Sequence, residues 1–127
     1  MKALDTNVLV RLLLADDAAQ LARVKALMSQ KQIYTAPISV MLELVWVLEA
    51  HDFDGREIEQ AFNHLLALQN FKPAHLAELR QALSWYSKGM DFADAVHLAM
   101  SDNASQMLTF DKAFIKVAKR EGLREAA

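Results

Sequence analysis

The sequence predicts an α/β domain in which a small parallel sheet of four or five strands is covered by helices, in a Rossmann-like, three-layer arrangement. Short segments of mixed polar and apolar residues alternate with longer segments of helical periodicity. Strands separated by helices of more than about ten residues pair in parallel through right-handed crossovers. The predicted strands are Lys2–Leu4, Gln32–Thr35, Gln69–Lys72 and Gln106–Thr109.

The segments that follow these strands carry apolar residues at helical spacing. In the first of them, Leu21, Val24 and Met28 recur along one face. Pro37 suits the first turn of a helix, and Gly89 suits a helix end. The predicted helices are Ala18–Gln30, one opened by Pro37, Arg56–Leu68, one that carries Leu76, Leu79, Leu83 and Tyr86 and ends at Gly89, Asp91–Asn103 and Lys112–Arg120.

Residues 1–127 are interpreted as a single domain. The chain has three Gly and two Pro and no stretch rich in both, so no linker is predicted. A length of 127 residues is sufficient to bury most of the surface that the unfolded chain exposes. The hydrophobic fraction of 54% excludes general disorder.

The charge balance and the absence of cysteine exclude several classes of protein. The 14 Lys and Arg against 16 Asp and Glu give a formal net charge of −2, which excludes nucleic-acid binding by bulk charge alone. Without cysteine there is no disulfide, thiolate zinc site or cysteine nucleophile. The longest apolar stretch, Val40–Leu48, is too short to span a bilayer. We therefore expect a soluble, cytoplasmic protein without a membrane partner.

Acidic residues occur where ligands bind in open parallel sheets, at the carboxyl ends of the strands. Asp5 ends the first predicted strand and Asp111 follows the last. Asp91 and Asp94 open a helix, and their spacing places them on one face. Glu43 lies inside the helix after Pro37. Convergence of four of these carboxylates would require a cation, and oxygen ligands without cysteine favour Mg²⁺ or Mn²⁺.

A purely structural interpretation is open for three of these acids. Asp5, Asp91 and Asp111 can each be interpreted as an ordinary helix N-cap, a position at which Asp is favoured. Capping and metal binding are compatible in one residue. Asp91 is the better cap of its pair and Asp94 the better ligand, since Asp94 lies one turn into the helix.

Glu43 is surrounded in the sequence by apolar residues, so we expect it to be buried. A buried carboxylate without a partner destabilises the fold by several kcal/mol. The alternatives are a functional site and a salt bridge, for instance with Arg11.

Other motifs carry less information. The four histidines form no zinc-binding pattern, and there is no glycine-rich phosphate loop. His97 lies one turn beyond Asp94 and is interpreted as an exposed or core residue. A basic row in the last helix is typical of a solvated face, but it is also the best candidate for contact with RNA phosphates. Its members are Lys112, Lys116, Lys119 and Arg120.

These acidic motifs, in this order, resemble the PIN-domain family, and within it the VapC-type toxins of bacterial toxin–antitoxin pairs. The resemblance covers nearly the whole chain. The residues that carry it are Leu4-Asp5-Thr6-Asn7-Val8-Leu9, Glu43, Asp91-Phe92-Ala93-Asp94-Ala95 and Thr109-Phe110-Asp111-Lys112-Ala113-Phe114.

The resemblance implies a metal-dependent endoribonuclease that hydrolyses RNA and leaves a 5′-phosphate and a 3′-hydroxyl. It also implies a homodimer and a cognate antitoxin protein. The residues it assigns to catalysis and to Mg²⁺ or Mn²⁺ are Asp5, Glu43, Asp94 and Asp111, with Asn7, Asp91 and Thr109 in supporting roles. The chain departs from the family pattern at residues 122–127, which lack the β-branched residues typical of a fifth strand.

Two other functions are compatible with clustered acids. A receiver-like or phosphatase-like domain also binds Mg²⁺ at strand ends, but Asp5-Thr6-Asn7 lacks the second acid of a D-x-D pattern. A non-catalytic interaction module would use the acids only as helix caps.

Overall fold

The structure, a computed structural model, describes residues 1–14, 17–29, 31–101 and 107–123, in two compact units, Met1–Leu76 and Ala77–Ala127. Helices and parallel strands together make the chain α/β, as predicted. The elements are β1 (Lys2–Ala3), α1 (Thr6–Leu14), α2 (Ala18–Met28), β2 (Tyr34–Thr35), α3 (Ile38–Ala50), α4 (Gly55–Leu66), α5 (Leu76–Ser87), α6 (Phe92–Ala99) and α7 (Lys112–Arg120). No helix among the described residues is long and apolar enough to cross a membrane.

The two strands of the first unit pair in parallel, which confirms the pairing expected from the intervening helices. Lys2 lies opposite Tyr34, and Ala3 lies opposite Thr35. The pairing continues past the strand end, where the Leu4 N–H donates to the Thr35 carbonyl at 2.7 Å. Leu4 is therefore held at the strand end, immediately before Asp5.

The predicted four or five strands are not confirmed: among the described residues, the sheet has two strands and one further parallel bridge. That bridge joins Tyr34 to Phe71, in the third predicted strand, and the Lys72 N–H donates to the Tyr34 carbonyl at 2.7 Å. The contact continues past Pro73, where the Ala74 N–H donates to the Ala36 carbonyl at 3.0 Å.

The fourth predicted strand, Gln106–Thr109, is also not found. Residues 107–109 have no strand structure, and residue 106 lies outside the described residues. Leu108 is 74% exposed, which is incompatible with a strand buried under helices. Residues 124–127, where a fifth strand would form, also lie outside the described residues.

Most helix predictions agree with the structure within a few residues. α7 has the predicted bounds, and α4 begins one residue early because Asp54 caps it. The Asp54 carboxylate accepts from the Glu57 N–H at 2.8 Å, while the Glu57 carboxylate accepts from the Asp54 N–H at 3.0 Å. α6 ends at Ala99, before the predicted end. α1 was not predicted, because its nearly continuous apolar run shows no stripe.

The core of the first unit forms where α1 packs against α2 and α3. Leu9 of α1 and Met41, Leu44 and Leu48 of α3 are fully buried. Burial of such side chains stabilises the fold by about 1.5–3 kcal/mol each. This packing sets the direction of α1, whose first turn follows Asp5.

Contacts within the second unit determine where α6 begins. Gly89 lies two residues after the end of α5. Its φ is +106°, a conformation that glycine adopts most readily. The Met90 N–H then donates to the Trp85 carbonyl, and Tyr86 contacts Phe92 edge to face at 5.5 Å. The Arg120 guanidinium of α7 donates to the carbonyl of Lys88. The turn is thus held on both sides just before Asp91.

Candidate active site

Asp5 lies at the carboxyl end of β1, where the strand turns into α1. Its Oδ1 accepts from the Thr6 N–H at 2.8 Å, and its carbonyl accepts from the Val8 N–H at 3.1 Å. The side chain is exposed. One carboxylate oxygen is therefore used by the turn, and the other is available to a ligand.

The Thr6 hydroxyl adds a second oxygen beside Asp5. Thr6 is only 6% exposed, and Oγ1 has no hydrogen-bond partner among the described residues. A buried hydroxyl without a partner destabilises a fold unless water or a bound group satisfies it. The start of α1 thus contains a buried hydroxyl with no partner among the described residues.

Glu43 is exposed, so the expectation of a buried carboxylate is wrong. α3 has a solvent-facing stripe of Ser39, Glu43 and Trp46, at spacings of four and three residues. Trp46 is 54% exposed. The stripe is not evident from the sequence, because Trp46 is apolar like the buried residues of this helix. The argument from desolvation therefore no longer applies to Glu43, and its assignment depends on the family resemblance alone.

Asp91 and Asp111 both cap helices in the second unit. The Asp91 Oδ2 accepts from the Asp94 N–H at 3.2 Å at the start of α6. The Asp111 Oδ1 accepts from the Phe114 N–H at 3.0 Å at the start of α7. The Thr109 Oγ1 in turn accepts from the Asp111 N–H at 3.0 Å, which orients the capping residue. The capping interpretation thus describes both residues, and each keeps one carboxylate oxygen outside its cap.

Asp94 projects from the first turn of α6 into a region of negative charge. Partial burial raises the pKa of its carboxyl above the ordinary value of 3.8, and repulsion from Asp91 and Asp111 raises this pKa further. His97 opposes the effect and lowers the Asp94 pKa. The structure therefore brings three of the predicted acids within electrostatic reach of one another.

This cluster is not a closed coordination shell. In neither unit do three or more His, Asp or Glu side chains of the described residues stand close enough together to hold a metal ion. The donor set is nevertheless of the right chemical kind, since carboxylate and hydroxyl oxygens are what Mg²⁺ and Mn²⁺ prefer.

The predicted basic row lies on α7, where its four side chains are exposed. Lys112, Lys116 and Lys119 share one face, opposite the buried Phe114 and Val117. Arg120 differs from them, because its guanidinium donates to the Lys88 carbonyl and lies 3.4 Å from the Glu121 carboxylate. Arg120 therefore has a structural role.

The sequence analysis missed a cavity of about 340 Å³ between α1 and α2. Asn7, to which the resemblance assigns a supporting role beside Asp5, is among the residues that line this cavity. A signal was present, since polar residues recur at i, i+4 on α1 and at i, i+3 on α2. The lining residues are Asn7, Val8, Arg11, Gln20, Arg23 and Val24.

Comparison with known proteins gives one match. A family model described as PIN domain matches residues 2–120, a range that covers both units and includes Asp5, Glu43, Asp94 and Asp111. No curated protein and no solved structure is significantly similar to the chain.

The repulsion around Asp94 predicts that Asp94→Asn stabilises the metal-free protein at pH 7. Because the pKa of Asp94 is raised on folding, the folded protein holds this proton more tightly than the unfolded chain. Ionisation therefore lowers the free energy of unfolding, and this loss is recovered as pH falls through the raised pKa towards 3.8. The gain should not exceed about 1 kcal/mol, since the group is only partly buried and solvent screens its charge. Urea denaturation of the parent protein and of Asp94→Asn, in EDTA and from pH 7 to pH 3.5, measures this difference in the free energy of unfolding.

The gain in the free energy of unfolding should shrink as pH falls. Its Coulombic part should also shrink when salt is added. A gain that is the same at pH 7 and pH 3.5, or no gain at all, would contradict the repulsion.

Proposed function

The chain belongs to the PIN-domain family, and from this premise we propose that it is an Mg²⁺- or Mn²⁺-dependent endoribonuclease. Proteins of this family are generally metal-dependent nucleases. The observation that carries the proposal is the match over residues 2–120, since it includes every acidic motif on which the resemblance rests.

We propose that Asp5, Glu43, Asp94 and Asp111 hold the metal. The partnerless Thr6 hydroxyl beside Asp5 and the mutual repulsion around Asp94 support this, because both would be relieved by a hydrated cation. When bound, such a cation lowers the pKa of a coordinated water and offsets negative charge on the phosphate.

The chain's own backbone holds these carboxylates in place. The Thr6 N–H, at the start of α1, donates to one carboxylate oxygen of Asp5. The Phe114 N–H, in the first turn of α7, donates to one carboxylate oxygen of Asp111. Asp91 caps α6, and Asp94 lies one turn further along the helix. In this proposal Asp91 stabilises the helix start and Asp94 binds the metal. A carboxylate that is already oriented loses little conformational freedom when it binds a ligand.

RNA with unpaired backbone is the proposed substrate, because such a strand can bend towards a pocket of acids. Lys112, Lys116 and Lys119 form an exposed row that suits the contact with its phosphates. Hydrolysis would break the P–O3′ bond and leave a 5′-phosphate and a 3′-hydroxyl.

We further propose that the protein is the toxin of a type II pair, active in the cytoplasm and blocked by a cognate antitoxin. The VapC-like order of the motifs supports this subtype. A small DNA-binding protein encoded next to this chain, and co-purification with it, would test the assignment directly.

A homodimer is the proposed assembly. Its support is the exposed Trp46 on α3, since large apolar side chains at the surface are typical of interfaces.

The same substitution at Asp91 and at Asp94 distinguishes the roles of these two acids at the start of α6. Asp94→Asn should abolish cleavage, because it removes a ligand charge. Asp91→Asn should keep measurable activity, because Asn caps nearly as well as Asp. Single-turnover cleavage of a labelled single-stranded RNA in Mg²⁺ and in Mn²⁺ measures both, beside the melting curve of each variant.

Asp91→Asn is the matched control, since the two variants make the same change three residues apart. An active Asp94→Asn with an inactive Asp91→Asn would reverse the ligand assignment. Normal cleavage by both would contradict the metal-nuclease proposal.

The second prediction is that Mn²⁺ stabilises the folded protein. A ligand at about a hundred times its Kd that binds only the folded state stabilises it by about 2.7 kcal/mol. Millimolar Mn²⁺ should therefore raise Tm by several degrees at pH 7, and by less near pH 4, where protons compete for the carboxylates. Asp94→Asn should reduce the shift. An unchanged Tm for the parent protein would count against the site.

The third prediction concerns the dimer, whose interface should bury more than about 1,000 Å². Trp46→Glu should weaken dimerisation at least about tenfold, since it places a charge on an apolar contact. Light scattering across micromolar concentrations measures this, with Ser39→Glu as a control on the same helix face. A monomeric parent protein at these concentrations would refute the homodimer.

A further inference from the structure

The cavity between α1 and α2 combines two cations with two amides. Arg11 and Arg23 reach it from different helices, and Asn7 and Gln20 lie beside them. None of the described lining residues is acidic. Two side chains of the lining therefore carry a positive charge, in a chain whose formal net charge is −2. Such a lining attracts an anion.

The chemistry of the lining favours a phosphate. Guanidinium groups donate in a planar fork that matches phosphate oxygens, and a pair of them on facing helices can hold one group from two sides. Arg11 is half-buried and Arg23 is exposed. The exposed position of Arg23 leaves its donors accessible to a ligand that enters from solvent.

The remainder of the cavity is suited to the rest of a nucleotide. Its volume of about 340 Å³ lies at the lower end of the range for small-molecule sites. Val8 is half-buried and Val24 is buried, so the two supply an apolar surface for a sugar or base. The side-chain amides of Asn7 and Gln20 can both donate and accept hydrogen bonds, as base edges require.

The cavity is held in shape by the helices that form it. α1 packs directly on α2. Asp17 stabilises the first turn of α2, since its carboxylate accepts from the Gln20 N–H at 3.0 Å and its carbonyl accepts from the Leu21 N–H at 2.9 Å. A preformed site loses less free energy to ordering when it binds.

We propose that this cavity binds one nucleotide of the RNA strand, with its phosphate between Arg11 and Arg23. The inference rests on the proposed function and extends it. Asn7 lines the cavity and stands two residues after Asp5, so this nucleotide lies close along the strand to the one that is cleaved. The cavity is therefore a subsite that positions the strand and contributes to sequence preference.

The test compares two variants that each remove one positive charge from α2. Arg23→Gln removes a lining residue, whereas Lys25→Gln removes an exposed charge that does not line the cavity. Arg, Lys and Gln have similar helix propensities, so both variants should fold. Binding of a fluorescein-labelled single-stranded RNA is measured in EDTA, where no cleavage occurs, at several salt concentrations.

Arg23→Gln should weaken RNA binding about three- to tenfold, the loss expected for one charge-assisted phosphate contact at a partly exposed site. It should also reduce the slope of log K against log salt by about 0.7, the value for one phosphate of a single strand. In Mn²⁺ it should raise KM with little change in kcat. Lys25→Gln should change none of these quantities by more than about twofold. Equal behaviour of the two variants would overturn the proposal.

A second measurement identifies the ligand. Uridine 5′-monophosphate should shift the side-chain amide resonances of Asn7 and Gln20 in the parent protein and not in Arg23→Gln. Equal shifts with uridine would overturn the role of the phosphate, and tighter binding of an acidic peptide than of RNA would overturn the assignment to a nucleotide.

The two hypotheses fail in different ways. Failure of the nuclease proposal appears as a parent protein that cuts no RNA in Mg²⁺ or Mn²⁺. Failure of the subsite appears as equal RNA binding by Arg23→Gln and Lys25→Gln in EDTA, which is independent of catalysis.

Discussion

The start of a helix needs acceptors for its first N–H groups, and in this protein aspartates supply them. Asp5 and Asp111 each bind one such N–H at the start of a helix, and Asp91 does the same before Asp94. The same bonds that begin α1, α6 and α7 thus orient the acids of the candidate site. Capping and ligation do not compete, because a carboxylate has two oxygens and each cap uses one.

A second constraint is the repulsion that follows when several acids share one region. Partial burial, and after it repulsion from Asp91 and Asp111, raises the pKa of the Asp94 carboxyl, so the metal-free protein is less stable at neutral pH than its packing alone would make it. A cation that is bound by the folded state reverses the sign of this contribution. Positively charged side chains occur in the lysine row of α7 and in the lining of the cavity between α1 and α2. A protein that binds an anionic strand and a cation together needs groups of both signs.

Prediction from the sequence was reliable where the information is local. The bounds of α7 and the cap at Asp91 follow from residues within one or two turns, and the structure agrees with both. Glu43 shows the opposite case. Its neighbours along the chain are apolar, but Trp46 is as exposed as Glu43 is, and only the packing of α3 shows which side faces solvent. The strands are a similar case, because pairing depends on distant segments: Phe71 forms one bridge to Tyr34, and Leu108 is 74% exposed.

The order of the acidic motifs, the helical periodicity and the parallel pairing were determined by the sequence itself, because they depend on residue type and spacing. Tertiary structure decided which acids repel one another, which face of α3 is exposed and that Arg11 and Arg23, from separate helices, line one cavity. These properties depend on distances between helices. A pattern along one chain segment carries no information about such distances, because they are set when side chains from separate elements pack together.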